Sequence, residues 1–361
     1  MVMGIGRRGL AALLAFATAG LAQYGEPDPD LQRTRLLRRM VAFLELPKRR
    51  AEAVRELHAA GGAAVPALIT RLEDPRLDLF CRVLQILREI GPAAASAVPV
   101  LQRIAQGGDA TRAYAARWCL MGIRPTGVTL VADSSGGRIL EFDAKGEQVF
   151  ELVVDGGLWD VELLPNGRFL VSQVKRGRVV EIDRTGKVLW KFECPSPIDA
   201  DRLPNGHTLI SCGRGGKVVE IDRAGKEVWS FASKWPGDVD RLATGNTLLT
   251  DCPADTVTEV DPQGRIVSRW TANSPIDVQR LPNGETLVVL GNQHRRIELR
   301  DPTGKLIRTF APVKQPQTVQ RLTNGHTLVG GDGELVEIDA AGKVVWRARG
   351  KVGDVHLAHR Y

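Results

Sequence analysis

The segment from Asp199 to Trp229 decides the fold, because it holds one complete unit of a repeated pattern. It reads D-A-D-R-L-P-N-G-H-T-L from Asp199 to Leu209 and V-V-E-I-D-R-A-G-K-E-V-W from Val218 to Trp229. Related wording recurs along the chain, with turn glycines about 40 residues apart. These glycines are Gly127, Gly167, Gly206, Gly245, Gly284 and Gly325. Four short strands per unit at this period are typical of β-propeller blades, so the sequence predicts a six-bladed propeller.

The C-terminus supplies a strand that the first unit lacks. That unit, Gly127 to Leu152, has no D-V-x-R-L segment before its turn, whereas the later units do. Asp354-Val355-His356-Leu357 resembles the missing strand and has no turn after it. We therefore expect these residues to complete the first blade and to leave no open sheet edge. This alignment places Asp354 with the aspartates that begin the innermost strands, and Gly353 in the slot before them.

Composition and the first residues indicate an exported protein of more than one domain. The chain has 361 residues, 43% of them hydrophobic and 25% charged, and a net charge of +7 without a long Lys/Arg run. We therefore expect no nucleic-acid partner. Residues 1–22 combine Arg7 and Arg8 with an apolar stretch, which predicts a signal peptide and a secreted or periplasmic protein. An uncleaved anchor is the alternative, and no later segment is apolar enough to span a membrane.

The five cysteines are an odd number for a protein that meets an oxidising compartment. None lies in a zinc-type pattern, so we expect no metal site. Cys81 and Cys119 fall in a helical region and are expected to be buried. Because Cys194 leads into the blade that carries Cys212, a disulfide between these two is one possible pairing.

Residues 23–124 have helical periodicity, and two copies of one helix start lie within them. The first copy runs from Gly62 to Ile69 and the second from Ala95 to Gln102, each with a proline that suits a first helical turn. This wording resembles HEAT-type helical repeats. The resemblance implies a surface for a protein partner, although the helices can equally serve to cap the propeller. The predicted divisions are a signal peptide at 1–22, a HEAT-like α-solenoid at 23–124 and a six-bladed propeller, closed by its C-terminal strand, at 125–361.

Residues that recur in nearly every blade favour a structural role over a functional one. The recurring aspartates of the innermost strands either hold a cation in the channel or bond neighbouring backbone N–H groups, and the second is favoured. Recurring arginines of those strands and glutamates of the third strands are expected to pair between blades. The arginines are Arg202, Arg241, Arg280 and Arg321, and the glutamates are Glu181, Glu220, Glu259 and Glu337. The tryptophans that recur in the fourth strands predict packing between blades.

Non-repeated residues point to a ligand site on one face of the ring. The loops after the second and fourth strands of each blade lie on the face opposite the N-G turns. Aromatic and cationic residues on these loops suit a sugar or aromatic ligand that carries sulfate, phosphate or carboxylate groups. The predicted ligand-binding residues are Trp159, Lys175, Arg176, Arg214, Lys217, Trp235, His294, Arg295, Arg296 and Lys314. A solvated basic rim with two buried tryptophans is the alternative.

Three repeat families resemble the propeller region, and they imply different functions. Thr129 to Gly146 looks like an NHL repeat, and the strands that end at Trp190 and Trp229 resemble repeats of pyrroloquinoline-quinone (PQQ) type. Adjacent cysteines, which the quinone enzymes place under their cofactor, are missing from the sequence, so we expect no cofactor. The phrase from Asp199 to Leu209 is similar to the repeats of bacterial arylsulfotransferases. That resemblance implies a histidine near the funnel, and only His294 lies on a loop of the ligand face.

The sequence therefore favours a non-catalytic binding or scaffolding propeller. Its expected partner is an anionic small molecule, a glycan, or a protein held through the helical repeats. The alternative is an arylsulfotransferase-like enzyme that moves sulfate between phenolic compounds, with His294 as its weak catalytic candidate.

Overall fold

The computed structural model describes residues 28–361, which form a helical domain followed by a propeller. The predicted signal peptide lies outside these residues. The helices are α1 (Pro29–Phe43), α2 (Pro47–Ala60), α3 (Val65–Ile69), α4 (Leu77–Ile90), α5 (Val98–Ala105) and α6 (Ala110–Ile123). None of the helices within 28–361 combines the length and apolar character needed to cross a bilayer.

The two copies of the repeated helix start adopt the same local structure. A 3-10 turn, Gly61–Ala64 in one copy and Gly91–Ala97 in the other, leads into a helix with proline in its first turn. Apolar side chains from all six helices form a single core, so the repeat is visible in the structure. Its membership of the HEAT class stays a prediction.

The propeller has six four-stranded antiparallel sheets, which confirms the predicted fold class. Blade 1 contains β1 (Thr129–Asp133), β2 (Arg138–Phe142) and β3 (Gln148–Val153), with β24 (Val355–Arg360) as its innermost strand. The other blades each take four consecutive strands from the inside outward. Blade 2 has β4 (Leu158–Leu163), β5 (Phe169–Gln173), β6 (Arg178–Ile182) and β7 (Val188–Glu193). Blade 3 has β8 (Pro197–Arg202), β9 (Thr208–Cys212), β10 (Lys217–Ile221) and β11 (Glu227–Ala232).

Blades 4 to 6 repeat this arrangement. Blade 4 has β12 (Pro236–Arg241), β13 (Thr247–Asp251), β14 (Thr256–Val260) and β15 (Ile266–Thr271). Blade 5 has β16 (Pro275–Arg280), β17 (Thr286–Leu290), β18 (Arg296–Arg300) and β19 (Leu306–Phe310). Blade 6 has β20 (Pro316–Arg321), β21 (Thr327–Gly331), β22 (Glu334–Ile338) and β23 (Val344–Arg347).

Burial follows the position of each strand in its blade. The second strand of every blade is fully buried, as in β5, whereas the outermost strands expose most of their side chains, as in β7. The apolar clusters combine residues of adjacent blades, for example Leu170 and Val179 of blade 2 with Ile210 of blade 3. The cores therefore lie between blades and hold the ring together.

Ion pairs between blades follow the predicted pattern at most positions. Arg202 lies 3.3 Å from Glu181, and the same pair recurs for Arg241 with Glu220 and for Arg280 with Glu259. Two of these arginines also lie over tryptophan rings: Arg202 at 4.8 Å from the Trp190 ring centre and Arg241 at 5.4 Å from that of Trp229. Such pairs set the register of the blades more than they add stability.

The prediction was wrong for Arg321. Its guanidinium donates to the Gly325 carbonyl oxygen at 2.8 Å, as Arg280 does to Gly284, but within residues 28–361 it forms no ion pair with the preceding blade. The carboxylate of Glu298 in that blade is engaged by Arg296 and Arg300. Arg360 of the closing strand pairs instead with Glu337.

Candidate functional site

The helical domain covers the face of the ring that carries the N-G turns, which we call the turn face. The side chain of Gln85 on α4 donates to the Arg241 carbonyl oxygen at 2.6 Å, and Ala243 of the propeller belongs to the helical core. Gly91 has a positive φ of +69°, and a β-carbon there would lie 2.6 Å from Thr323 Cγ2. A larger residue would therefore separate the two domains at this contact.

The docked helices close one end of the central channel and leave a cavity of about 710 Å³. Gln85, Arg88 and Glu89 of α4 contribute to its lining. Two rings of side chains from the innermost strands surround the channel. The first ring contains Asp160, Asp199, Asp238, Asp277, Thr318 and Leu357. The second contains Glu162, Asp201, Asp240, Gln279, Gln320 and His359.

The first ring connects the blades through backbone hydrogen bonds. The Asp160 carboxylate accepts from the Ala200 N–H at 3.1 Å, and the Asp199 carboxylate accepts from the Val239 N–H at 3.1 Å. Asp238 and Asp277 repeat this contact with the next blade. Among residues 28–361 no group of acidic, histidine or cysteine side chains has the arrangement of a metal site. The contacts therefore agree with the structural interpretation of these aspartates, which fix blade register.

Burial raises the pKa of the channel carboxylates, because a low-dielectric site disfavours their charged form. The pKa of Asp160 rises to about 7 and that of Glu162 to about 8, with desolvation as the largest cause in both. Asp240 reaches a pKa of about 7 through desolvation, with the charge of Asp277 as a further cause. Burial has the opposite effect on the imidazole of His359, whose pKa falls to about 4.

The closing strand places a histidine at the funnel, which is the end of the channel on the loop face. Leu357 pairs with Ala132 in blade 1, as Asp160 pairs with Ser172 in blade 2. Leu357 therefore takes the first-ring position, and His356 fills the slot before it. The other residues in this slot are Trp159, Ile198, Gly237, Ile276 and Gln317.

This register corrects the sequence alignment, which gave the ring position to Asp354 and the funnel slot to Gly353. The D-V wording suggested that alignment, but the pairing follows Arg360, which occupies the place of Arg202 and contacts Glu337. Counting back from Arg360 in the L-A-H-R sequence would have identified His356. The bulge between Ala132 and Asp133 is the one that other blades have at the same position, as between Leu158 and Asp160 in blade 2.

His356, Trp159 and Asp354 form a contact group at the funnel. The imidazole of His356 packs against the Trp159 indole with ring centres 4.0 Å apart, and its Nε2 lies 3.1 Å from Asp354 Oδ2. The His356 side chain is 13% exposed, and desolvation lowers its pKa although Asp354 acts in the opposite direction. A neutral imidazole held by a carboxylate beside an exposed indole is able to bind a ligand ring or accept a proton.

The predicted ligand-binding residues lie around the rim of the loop face rather than in one pocket. Trp159 is 37% exposed and Trp235 is 38% exposed, so neither is the buried tryptophan of the alternative interpretation. Some of the predicted cations are engaged by carboxylates: Arg176 with Asp155, Lys217 with Glu227, and Arg296 with Glu298. Exposed cations without a carboxylate partner within 28–361 are Lys175, Arg214, Arg295 and Lys314, and His294 beside them is half-buried. None of the ten predicted residues lines the cavity between the domains.

One disulfide joins the loop after blade 2 to blade 3. Cys194 and Cys212 are bonded with their α-carbons 5.9 Å apart, which confirms the pairing considered from the sequence. Cys119 is buried, as expected, whereas Cys81 and Cys252 are half-buried, and all three are free thiols.

These features define the class of protein: a six-bladed β-propeller with a helical domain on its turn face. Residues 124–267 match the family model described as outer membrane protein assembly factor BamB, which covers less than half of the chain. No curated protein sequence matches the chain.

Solved structures match the chain at low sequence identity. A protein of unknown function from Bacteroides caccae is 21% identical over 64% of this chain and 97% of its own, with a TM-score of 0.56. Virginiamycin B lyase from Staphylococcus aureus is 12% identical over 61% of this chain and 80% of its own, with a TM-score of 0.47. A streptogramin B lyase structure is 11% identical over 63% of this chain and 84% of its own, with a TM-score of 0.48.

Proposed function

We propose that this protein is an exported, non-catalytic binding module whose loop face takes a ligand with anionic groups. The docking of the helical domain on the turn face carries the proposal, because it leaves the loop face, with its exposed aromatic and basic side chains, uncovered by the helices. Exposed Trp159 and Trp235 offer flat apolar surfaces there. Unpaired cations around them suit sulfate, phosphate or carboxylate groups on a sugar or aromatic ring.

The disulfide supports export from the cytoplasm. Disulfides persist in oxidising compartments, and the Cys194–Cys212 bond links two adjacent blades. The signal-like sequence of residues 1–22 agrees with the same location. The similarity to the BamB family model adds an outer-membrane context, which for this chain is part of the proposal. A protein partner bound through the helical domain remains a further prediction from its HEAT-like sequence.

A binding experiment with dextran sulfate and uncharged dextran tests the loop face. We expect the protein to bind dextran sulfate more tightly than dextran, with an affinity that decreases with added salt. The double variant Arg295→Glu/Lys314→Glu should weaken this binding by more than about tenfold, because it reverses two unpaired charges. The variant Lys187→Glu/Lys226→Glu changes exposed lysines of the turn face and serves as the control. Equal weakening in both variants, or equal affinity for both polymers, would contradict the proposal.

The position of His356 supports one alternative function, an arylsulfotransferase-like enzyme. In that reaction an imidazole nitrogen takes the sulfuryl group from an aryl sulfate, a phenolate leaves, and the sulfuryl group then passes to an acceptor phenol. His356 lies at the funnel beside Trp159, whereas His294 lies on an exposed rim loop. The structure therefore gives His356 better placement than the candidate taken from sequence.

An assay with a chromogenic aryl sulfate and a phenol acceptor separates the two functions. Turnover that is lost in His356→Ala but retained in His294→Ala would establish the enzyme and replace the non-catalytic proposal. Absence of turnover in a protein that binds dextran sulfate would support the binding module.

A further inference from the structure

The first helix presents a basic and apolar face that no part of the described chain covers. Leu31, Arg35, Arg38 and Arg39 lie at positions that place side chains on one side of a helix. Leu31 is 46% exposed, and Leu36 at the edge of this face is 45% exposed. We call these five residues the α1 face.

The arginines of this face do not contribute ion pairs to the described part of the fold. Arg35, Arg38 and Arg39 are exposed and have no carboxylate partner within residues 28–361. No acidic residue occurs in the sequence between Leu31 and Leu44. Arg39 lies over the ring of Phe43, at 5.2 Å, and its charge acts on Glu52 without forming an ion pair. The packing of α1 is made by the other side of the helix, through the buried residues Leu37, Met40 and Val41.

We infer that the α1 face binds the surface of an anionic lipid bilayer. Leucines can enter the headgroup region while the arginines beside them contact lipid phosphates, which is the behaviour of basic amphipathic helices. On a helix face that only contacts water, the two exposed leucines would stay hydrated, and nothing would be gained from placing them beside the arginines. Charge complementarity selects anionic lipid as the partner, because the face contains cations and apolar groups alone.

The neighbouring sequence fits the same partner. The apolar stretch from Leu10 to Ala22 ends only a few residues before α1 begins at Pro29. A chain exported through that stretch emerges with α1 next to the bilayer. Because the helical domain is docked on the turn face, binding through α1 leaves the loop face free. This inference does not rest on the proposed loop-face ligand.

Vesicle co-sedimentation tests the inference with a chain that begins at Gln23 and keeps every described element. We expect it to bind vesicles of phosphatidylcholine mixed with phosphatidylglycerol, and not vesicles of phosphatidylcholine alone. Arg35→Gln/Arg38→Gln should weaken this binding about thirtyfold, which is the contribution of two basic residues at an anionic surface. Leu31→Ser/Leu36→Ser should also weaken it, while the control Lys187→Gln/Lys226→Gln on the propeller should not.

The variants replace exposed side chains, so their thermal unfolding should match that of the parent protein. Binding that does not require phosphatidylglycerol would overturn the inference. Binding that persists unchanged in Arg35→Gln/Arg38→Gln, or that is lost equally in the lysine control, would do the same. Such results would assign the α1 face to another partner, such as an acidic protein.

Discussion

At the scale of single residues, Asp199 and Asp201 on the same strand, β8, have different environments. The Asp199 carboxylate accepts a hydrogen bond from the next blade, whereas the Asp201 carboxylate accepts none from residues 28–361. The hydrogen-bonding role of Asp199 could be inferred from the sequence, because equivalent aspartates recur in most blades. The burial of Asp201 and Asp240 depends instead on the helical domain, which covers the channel around them.

The raised pKa of Asp240 predicts a stability that decreases with pH. Its pKa is about 7 in the folded protein against 3.8 for the free side chain. Between these values the folded state holds a proton that the unfolded state has lost. Over that range the free energy of unfolding falls by about 1.4 kcal/mol per pH unit for each such group. The stability that Asp240 contributes is fully present below its unfolded pKa of 3.8 and is lost above its folded pKa of about 7.

Asp240→Asn should therefore flatten the pH dependence and stabilise the protein at pH 8 relative to the parent. Urea unfolding at several values between pH 5 and pH 8 measures both effects. Glu56→Gln, a change at an exposed carboxylate of α2, is the control and should leave the profile unchanged. Parallel profiles for the parent and Asp240→Asn would show that Asp240 titrates normally.

Residue-level prediction failed where the pattern was interrupted. The wording D-V at Asp354 suggested one register, and the ion pair of Arg360 with Glu337 enforces another. A short motif of common residues can be aligned in several ways, while a charged partner across the blade boundary allows only one. His356 was consequently missed as a funnel residue, although the arginine that locates it was present in the sequence.

At the scale of elements, the sequence predicted the blades well because each strand has a fixed burial pattern. The buried second strands and the turns at Gly206 and its equivalents give a strong periodic pattern. The helical region was predicted as a repeat, but its docking position was not. Docking depends on individual contacts such as Gly91 against Thr323, which no periodicity reveals.

The disulfide between Cys194 and Cys212 should stabilise the junction of blades 2 and 3. It closes a segment with a sequence separation of 18. A crosslink of this span contributes about 3 kcal/mol, mainly by restricting the unfolded chain. Cys194→Ser and Cys212→Ser should each lower the free energy of unfolding by that order, as measured with urea under oxidising conditions.

Reductant should destabilise the parent protein by a similar amount and leave both variants unaffected. The free thiol of Cys252 provides the comparison, since Cys252→Ser should retain the sensitivity to reductant. If reductant left the unfolding curve of the parent protein unchanged, the disulfide would not be stabilising.

At the scale of the whole molecule, two domains of different architecture share a boundary that covers one end of the channel. Ala243 is buried in the helical core although it belongs to a propeller turn, and Gln85 reaches into the propeller from α4. The cavity exists only while this boundary holds. Its acidic lining was present in the sequence as a repeat, but its enclosure was not predictable, because it follows from how two separately folding patterns meet.

Ala243→Glu should separate the two domains without unfolding either of them. The buried Ala243 position has no room for the larger side chain, and overpacking of this kind costs about 3 kcal/mol. Limited proteolysis with thermolysin should then cleave the connection at residues 122–126 faster than in the parent. Ala341→Glu, at an exposed turn of blade 6, is the matched control and should resist cleavage like the parent. Equal cleavage of all three proteins would show that the boundary does not protect the connection.

Blade 1 combines β1, β2 and β3 with the C-terminal strand β24. It can therefore be completed only at the end of synthesis. Strands that appear early must wait, with one side of β1 unpaired, until Val355–Arg360 have been made. The nascent chain can assemble blades 2 to 6 as each is completed, but the circle stays open until the last strand arrives. A ribosome that stops early therefore yields an unclosed arc with a bare strand edge, the kind of product that quality-control proteases and chaperones recognise.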